Sequence, residues 1–230
     1  MKCLLLSTAL LATLALAAGP AGADDAALIA AQKPSYPLTV CPVSGEPLGG
    51  GGMKQMDIIH EGKLVSFCCK SCLKDFNASP TEYIKKIDDA VIAAQKAAYP
   101  LDTCPVSGEK LEGEPTLAVS GTKLVELCCK KCPKELAANP AKYLAIVDAA
   151  YIEKQSKDYP LTVCPVSDED LGDKPVKLLY GTTLVEFCCK DCIKDFQKDP
   201  KPALAKLAAA RAKPAGATEP KKEPAAPSGK

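Results

Sequence analysis

The segment LVSFCCKSC, residues 64–72, places two adjacent cysteines and then a third cysteine directly after a short apolar run. Near-copies follow at 124–132, LVELCCKKC, and at 184–192, LVEFCCKDC. Each copy is preceded by an opening of one kind: YPLTVCPVSGE (36–46), YPLDTCPVSGE (99–109) and YPLTVCPVSDE (159–169), with openings spaced by 63 and 60 residues. Repetition at this period indicates a tandem array of small structural units.

Within each unit the pattern predicts a β-hairpin followed by helices. Short apolar runs flank a glycine, Gly62, Gly121 or Gly181, which is typical of two strands joined by a tight turn. After the cysteines, apolar residues recur at helical spacing, and a longer helix is predicted from Thr81 to about Lys96. The three extra residues of the first unit are expected in the glycine run 49–52. The predicted fold class is therefore α+β, with three tandem small modules, each a β-hairpin plus helix, joined by α-helical linkers.

The N-terminus has the pattern of a signal peptide. Lys2 precedes an apolar run too short to span a bilayer, and Ala21-Gly22-Ala23 has the small residues of a cleavage site. We therefore expect an exported protein, periplasmic or secreted, without a membrane span once this peptide is removed; an uncleaved N-terminal anchor is the alternative. The predicted boundaries are 1–23 for the signal peptide, 24–33 for an N-terminal helix, 34–96, 97–156 and 157–211 for modules 1, 2 and 3, and 212–230 for a disordered tail.

Composition and charge argue against several classes of function. The chain has 29 basic and 28 acidic residues, a formal net charge of +1, and the two signs are interspersed, so no basic patch for nucleic acid is expected. Aromatic residues are few, tryptophan is absent and His60 is the single histidine. Because no nucleophile–base pair, phosphate loop or carboxylate dyad recurs, we expect that the protein is not an enzyme.

Four cysteines in each module form the candidate site. A strand is expected to end at Cys68, and Cys72 lies one helical turn later, so both thiols can face one point, while Cys41 can approach from the preceding loop. Convergent ionisable thiolates suit soft or borderline ions, above all zinc and copper(I), but also cadmium and mercury. The candidate metal ligands are Cys41, Cys68, Cys69 and Cys72; Cys104, Cys128, Cys129 and Cys132; and Cys164, Cys188, Cys189 and Cys192.

Structural disulfides are the competing interpretation of these cysteines. Export would place them where disulfides form, and a module of about 60 residues has a thin core that needs such a staple. Four cysteines allow three pairings, of which Cys41 with Cys72 is one. The alternative function is then a disulfide-stapled tandem-repeat scaffold that binds another protein and holds no metal. Redox catalysis through Cys69-x-x-Cys72 is disfavoured, because the segment lacks a βαβ context.

The motifs C-P-V-S-G-E and F-C-C-K-x-C-x-K-D-F-x-x-x-P resemble those of the TRASH and YHS group of small metal-binding domains. Those domains have one cysteine in an N-terminal loop, then a hairpin, then F-C-x3-C entering a helix, and the resemblance covers each module. It implies a treble-clef-like, zinc finger-like fold and a role in heavy-metal binding, trafficking or sensing. The ligands that it implies are Cys41, Cys68 and Cys72, with Cys104, Cys128, Cys132 and Cys164, Cys188, Cys192.

One departure concerns the fourth ligand. Related ribosomal zinc fingers have C-x2-C in the first loop, whereas this chain has Ser44, Ser107 or Ser167 at the second position. A fourth thiolate would have to come from the second cysteine of each cluster, and neighbouring side chains tend to diverge. The number of thiolates per ion therefore stays open at the level of sequence.

Overall fold

The computed structural model describes residues 21–50, 52 and 54–212. The predicted signal peptide and disordered tail lie outside these residues, except for residues 21–23 and 212 at their inner ends. Helix α1 (Ala21–Gln32) leads through a 3₁₀ turn (Lys33–Ser35) into module 1. No helix in the described ranges is long and apolar enough to cross a membrane.

Each module consists of a two-stranded antiparallel hairpin followed by a short helix and a longer helix. The predicted α+β class, with three small hairpin-plus-helix modules, is thereby confirmed. The elements are β1 (Met56–His60), β2 (Lys63–Phe67), α2 (Ser71–Ala78) and α3 (Pro80–Gln95); β3 (Thr116–Ser120), β4 (Lys123–Leu127), α4 (Cys132–Ala138) and α5 (Pro140–Lys157); and β5 (Val176–Tyr180), β6 (Thr183–Phe187), α6 (Lys190–Lys198) and α7 (Lys201–Ala212).

Tight two-residue turns close the hairpins. They explain why the turn glycine of module 1 comes one residue later than the glycines of modules 2 and 3. His60 pairs with Lys63 across the turn Glu61-Gly62, where both residues have positive φ angles of 49° and 78°. Two successive residues with positive φ are typical of a type I′ turn, which favours glycine at its second position. In modules 2 and 3 glycine takes the first position of the turn instead, as Gly121 (φ 58°) and Gly181 (φ 65°).

The two helices of module 1 are separated by a Ser-Pro step. Ser79 has an extended φ of −148°, as expected for a residue before proline, and Pro80 occupies the first turn of α3. The predicted helix from Thr81 to about Lys96 is confirmed as α3. The three additional residues of module 1 lie between the bridge of Val40 with Pro47 and the start of β1, where the glycine run was expected to form a loop.

The long helices join the modules into a continuous array. Helix α1 packs on the hairpin of module 1, α3 on the hairpin of module 2, and α5 on the hairpin of module 3. Modules 1 and 2 share one hydrophobic core, while module 3 builds its own core and contacts the first through Leu179. Burial of each hairpin therefore depends on the helix that precedes it, as in other repeat proteins.

Candidate metal centres

The first cysteine of each site is held in a closed backbone knuckle. The Cys41 N–H donates to the Glu46 carbonyl at 2.7 Å, and the Gly45 N–H donates to the Cys41 carbonyl at 2.9 Å. This turn requires a positive φ, which is 78° at Gly45, and glycine adopts that conformation without steric cost. The knuckle recurs at Cys104 with Gly108 and Glu109, and at Cys164 with Asp168 and Glu169.

The hairpin and the short helix deliver the other two sulfurs. Cys68 directly follows β2, and Cys72 lies in the first turn of α2, which brings their Sγ atoms to 3.7 Å. The corresponding Sγ distances are also 3.7 Å for Cys128 with Cys132 and for Cys188 with Cys192. A strand that runs into a helix therefore places both ends of C-x3-C on one side of the module.

In each module three sulfurs converge into a triad that could hold a metal ion. The three Sγ atoms of a triad all lie within 4.8 Å of one another. All twelve cysteines in the described part of the chain are free thiols. The triads are Cys41, Cys68 and Cys72; Cys104, Cys128 and Cys132; and Cys164, Cys188 and Cys192.

The remaining predicted ligands lie beside the triads. Cys69 Sγ is 3.8 Å from the sulfurs of both Cys68 and Cys72. Cys129 and Cys189 have their Sγ atoms 3.6 Å from Cys132 and Cys192, respectively. These second cysteines therefore turn toward the site, contrary to the expected divergence of neighbouring side chains, and their role as ligands stays a prediction.

A serine hydroxyl lies beside the middle sulfur of each triad. Ser44 Oγ lies 3.3 Å from Cys68 Sγ and also accepts a hydrogen bond from the Glu46 N–H at 3.3 Å. Ser107 and Ser167 repeat the contact, at 3.2 Å from Cys128 and 3.3 Å from Cys188. The serine hydroxyl thus bridges the knuckle and the middle cysteine of the triad.

The knuckle favours the ionised form of the first cysteine. Burial opposes ionisation of Cys41, but the N–H groups of Ser44 and Cys68 stabilise its thiolate and lower its pKa to about 7. Equivalent donors, against the same effect of burial, lower the pKa of Cys104 to about 7 and that of Cys164 to about 6. At least one thiolate per module is therefore available near neutral pH, and in module 1 hydrogen bonds from Ser71 and Cys72 also lower the pKa of Cys69 to about 7.

The last cysteine of each triad has a raised pKa instead. Burial raises the pKa of Cys72 to about 12 and that of Cys192 to about 12, and it holds the pKa of Cys132 well above its ordinary value. Neighbouring sulfurs add to this effect, because a second negative charge in the cluster is unfavourable. Three thiols packed this closely cannot all ionise unless a cation compensates their charge.

Several supporting residues were missed at the level of sequence. Gln95, at the end of α3, donates to the Thr122 carbonyl and accepts from the Leu124 N–H, both at 2.9 Å, and so clamps the hairpin of module 2. The spacing Q-x3-Y-P, which recurs before every module, is a signal that could have revealed it. Gln32 clamps Gly62 and Leu64 of module 1 in the same way, and Gln155 clamps Thr182 and Leu184 of module 3.

Comparison of the chain with models of protein families, with curated proteins and with solved structures finds no match. The chemistry of the three sites is therefore inferred from their own residues and geometry.

Proposed function

We propose that this chain is an exported protein that binds soft metal ions, one in each module, through its cysteine triads. The observation that carries the proposal is the convergence of three sulfurs within 4.8 Å in each of three modules. The same 3.7 Å separation between the last two sulfurs of the triad recurs in all three modules.

Zinc is the ion that the geometry favours most, with copper(I) as the second candidate. Two thiolates bound to tetrahedral zinc at about 2.3 Å lie about 3.8 Å from each other. The Sγ pairs Cys68–Cys72, Cys128–Cys132 and Cys188–Cys192, each at 3.7 Å, match this separation. Copper(I) also prefers soft thiolate ligands, and the free thiols suit either ion.

A bound metal ion would protect the cysteine thiols of an exported protein from oxidation. The N-terminal pattern predicts delivery to a compartment where unprotected thiols oxidise. An ion bound by all three sulfurs of a triad would keep them as thiolates and would staple a module whose own core is thin. The resemblance to the TRASH and YHS group supports the same role: binding, carrying or sequestering a heavy-metal ion rather than catalysis.

The test is the composition of the mature protein, purified from its export compartment without added metal. Elemental analysis together with mass spectrometry should find about three ions of zinc or copper per chain, one for each triad, with all cysteines reduced. Absence of metal, with a mass loss of two hydrogens per pair of cysteines, would overturn the proposal in favour of the disulfide-stapled scaffold. Chelator should loosen the metal form, whereas reductant should unfold the stapled one.

A further inference from the structure

In each module the second cysteine of the vicinal pair lies outside the triad that the proposed function uses. In modules 2 and 3 these cysteines, Cys129 and Cys189, are exposed. The last cysteines of the same triads, Cys132 and Cys192, are only 6% and 7% exposed. In module 1 the second cysteine, Cys69, is half-buried. Modules 2 and 3 therefore present one thiol to solvent directly beside a triad whose last sulfur is buried.

The exposed thiol and the buried one lie within reach of each other. The Sγ atoms of Cys129 and Cys132 are 3.6 Å apart, and the same distance separates those of Cys189 and Cys192. The Cys132 N–H donates to the Cys129 carbonyl at 3.3 Å, which closes a turn whose end Cα atoms lie less than about 7 Å apart. A disulfide joins Cα atoms about 4.4–6.8 Å apart, so the backbone of module 2 is already compatible with one.

The other close sulfur pairs of module 2 consist of triad cysteines alone. Cys132 Sγ also lies 3.7 Å from Cys128 Sγ and 3.8 Å from Cys104 Sγ. When an ion is bound, these three thiolates are its ligands. The exposed second cysteine is then the thiol that an oxidant in solution reaches first, and it has a partner sulfur beside it.

From this arrangement we infer that the second cysteines of modules 2 and 3 are redox-reactive sites that control release of the bound ion, an inference that rests on the proposed function. Each forms a disulfide with the last cysteine of its triad, Cys129 with Cys132 and Cys189 with Cys192. Zinc takes three or four protein ligands, so the two sulfurs that remain in the triad hold it weakly. Oxidation therefore releases the ion, and reduction restores the site. Each pair reacts once per oxidation, as a switch and not as a catalyst.

The oxidant that fits this chemistry is a low-molecular-weight disulfide, RSSR, such as oxidised glutathione. In module 2 the Cys129 thiol loses its proton to solvent, and its thiolate attacks one sulfur of RSSR, which forms a mixed disulfide and expels one RS⁻. The Cys132 thiolate then leaves the triad and attacks the Cys129 sulfur, and the second RS⁻ is expelled as the new disulfide forms. Two protein sulfurs are thus oxidised, and RSSR is reduced to two thiolates.

The experiment adds oxidised glutathione to the full-length, zinc-loaded protein under nitrogen and follows zinc with the chromogenic chelator 4-(2-pyridylazo)resorcinol. Peptide mapping after alkylation of the free thiols should locate the disulfides Cys129–Cys132 and Cys189–Cys192 as zinc is released, and dithiothreitol should reverse both changes. The double variant Cys129→Ser, Cys189→Ser should slow the oxidant-dependent release from these modules at least about tenfold. The matched control Cys69→Ser should form both disulfides at the parent rate.

A labelling experiment tests the same inference without a variant. N-ethylmaleimide added to the zinc-loaded parent protein should modify Cys129 and Cys189 before any cysteine of their triads, because these two thiols are exposed. The labelled protein should then keep the zinc of modules 2 and 3 when oxidised glutathione is added. Labelling that starts at a triad cysteine would contradict the inference.

The outcomes separate this inference from the function on which it rests. The zinc content is measured before the oxidant is added, and a protein that binds no zinc would overturn the proposed function itself. Metal binding would stand, but the inference would be overturned, if the disulfides joined triad cysteines to each other, such as Cys128 to Cys132. The same holds if the double variant releases zinc as fast as the parent protein, or if a mixed disulfide forms at Cys129 and the zinc stays bound.

Discussion

Modules 1 and 3 pack two phenylalanine rings beneath their cysteines, whereas module 2 packs two leucines there. In both aromatic modules the ring centroids lie 5.3 Å apart at an interplanar angle of 64°, the edge-to-face arrangement that such rings prefer. A third ring packs on each pair: the ring centroid of His60 lies 5.0 Å from that of Phe76, and the centroid of Tyr180 lies 5.0 Å from that of Phe196. Module 2 has Ser120 at this position. The pairs are Phe67 with Phe76, Phe187 with Phe196, and Leu127 with Leu136.

The sulfur geometry is the same in spite of this difference in the core. The closest triad sulfurs are 3.7 Å apart in all three modules, and the knuckle hydrogen bond from cysteine to glutamate is 2.7 Å in each. Backbone hydrogen bonds in the knuckle, together with the strand-to-helix step, therefore position the thiols. The core residues therefore stabilise the module but do not determine where the thiols lie. The predictions below test this separation of roles.

The largest effect is expected from removal of one triad sulfur. Cys132→Ser in module 2 and Cys192→Ser in module 3 should each lower the metal content by about one ion per chain. Each should also destabilise its module strongly, because the free energy of metal binding contributes to folding. Elemental analysis and thermal unfolding with and without chelator measure both effects. Retention of three ions in one variant but not in the other would show that modules 2 and 3 do not bind metal in the same way.

Above about pH 8, metal binding should release the same number of protons in module 3 as in module 2. At about pH 7.5 Cys164 is ionised because its pKa is about 6. The Ser167 hydroxyl favours the thiolate of Cys188, but burial and neighbouring groups raise its pKa, and burial raises that of Cys192 to about 12. Binding should thus release two protons, and affinity should rise about hundredfold per pH unit and fall toward acid.

This proton count can be measured on full-length variants that keep a single triad. Zinc titrations between about pH 7 and 8.5, repeated in buffers with different ionisation enthalpies, count the protons directly. Module 2 should give the same slope above about pH 8 but a steeper one near pH 7, because its knuckle thiol, with a pKa of about 7, is still partly protonated there, while the pKa values of its other triad thiols are raised. A tenfold slope in either module would mean that only one proton leaves.

Loss of the glutamine clamp should destabilise module 2 more than module 1. Gln95→Leu leaves the Thr122 carbonyl and the Leu124 N–H without partners in a buried place, which should cost about 2–4 kcal/mol. Gln32→Leu should cost less, because the clamp of module 1 is partly solvated and water can replace the lost bonds. Denaturant unfolding of the two variants checks the order, and equal losses would mean that burial of the clamp does not matter.

The parts of the fold that follow local rules could be predicted from the sequence. The repeat, the three hairpins, α3 and the convergence of Cys41, Cys68 and Cys72 come from turn glycines and from the step of C-x3-C out of a strand. The clamps could not be found by periodicity, because a polar residue such as Gln95 on a helix resembles a solvent-facing position. It becomes buried only when α3 packs on the next module.

The differences in solvent exposure between the sites could not be predicted from the sequence motifs either. The sequences FCCKSC and FCCKDC are nearly identical, yet Cys68 is buried and Cys188 is half-buried. Solvent access depends on the tertiary contacts around each site, which the spacing of the motif does not encode. The carboxylate of Glu169 beside Cys188 belongs to the same class of non-local contact.

Exchange of core residues between modules should have a moderate effect. Phe196→Leu, which gives module 3 one leucine of module 2, should cost about 1–2 kcal/mol through loss of ring contacts with Phe187 and Tyr180. The number of bound ions should stay the same. If this variant loses an ion while its module stays folded, the core does set the site. The reciprocal Leu136→Phe should destabilise module 2 by overpacking, at about 1–3 kcal/mol.

The smallest effect is expected in the knuckle itself, where module 3 departs from the others by using Asp168 at φ 61° in place of glycine. An added Cβ at Gly108 of module 2 would contact nothing within 4 Å, so Gly108→Ala tests the backbone alone and should cost about 1 kcal/mol. Asp168→Gly removes the same strain but also the exposed ion pair with Lys206, so a gain below about 1 kcal/mol is expected. Denaturation midpoints compare the two variants with the parent protein. If Gly108→Ala costs nothing, the knuckle tolerates side chains freely, and its hydrogen bonds alone determine where the first sulfur lies.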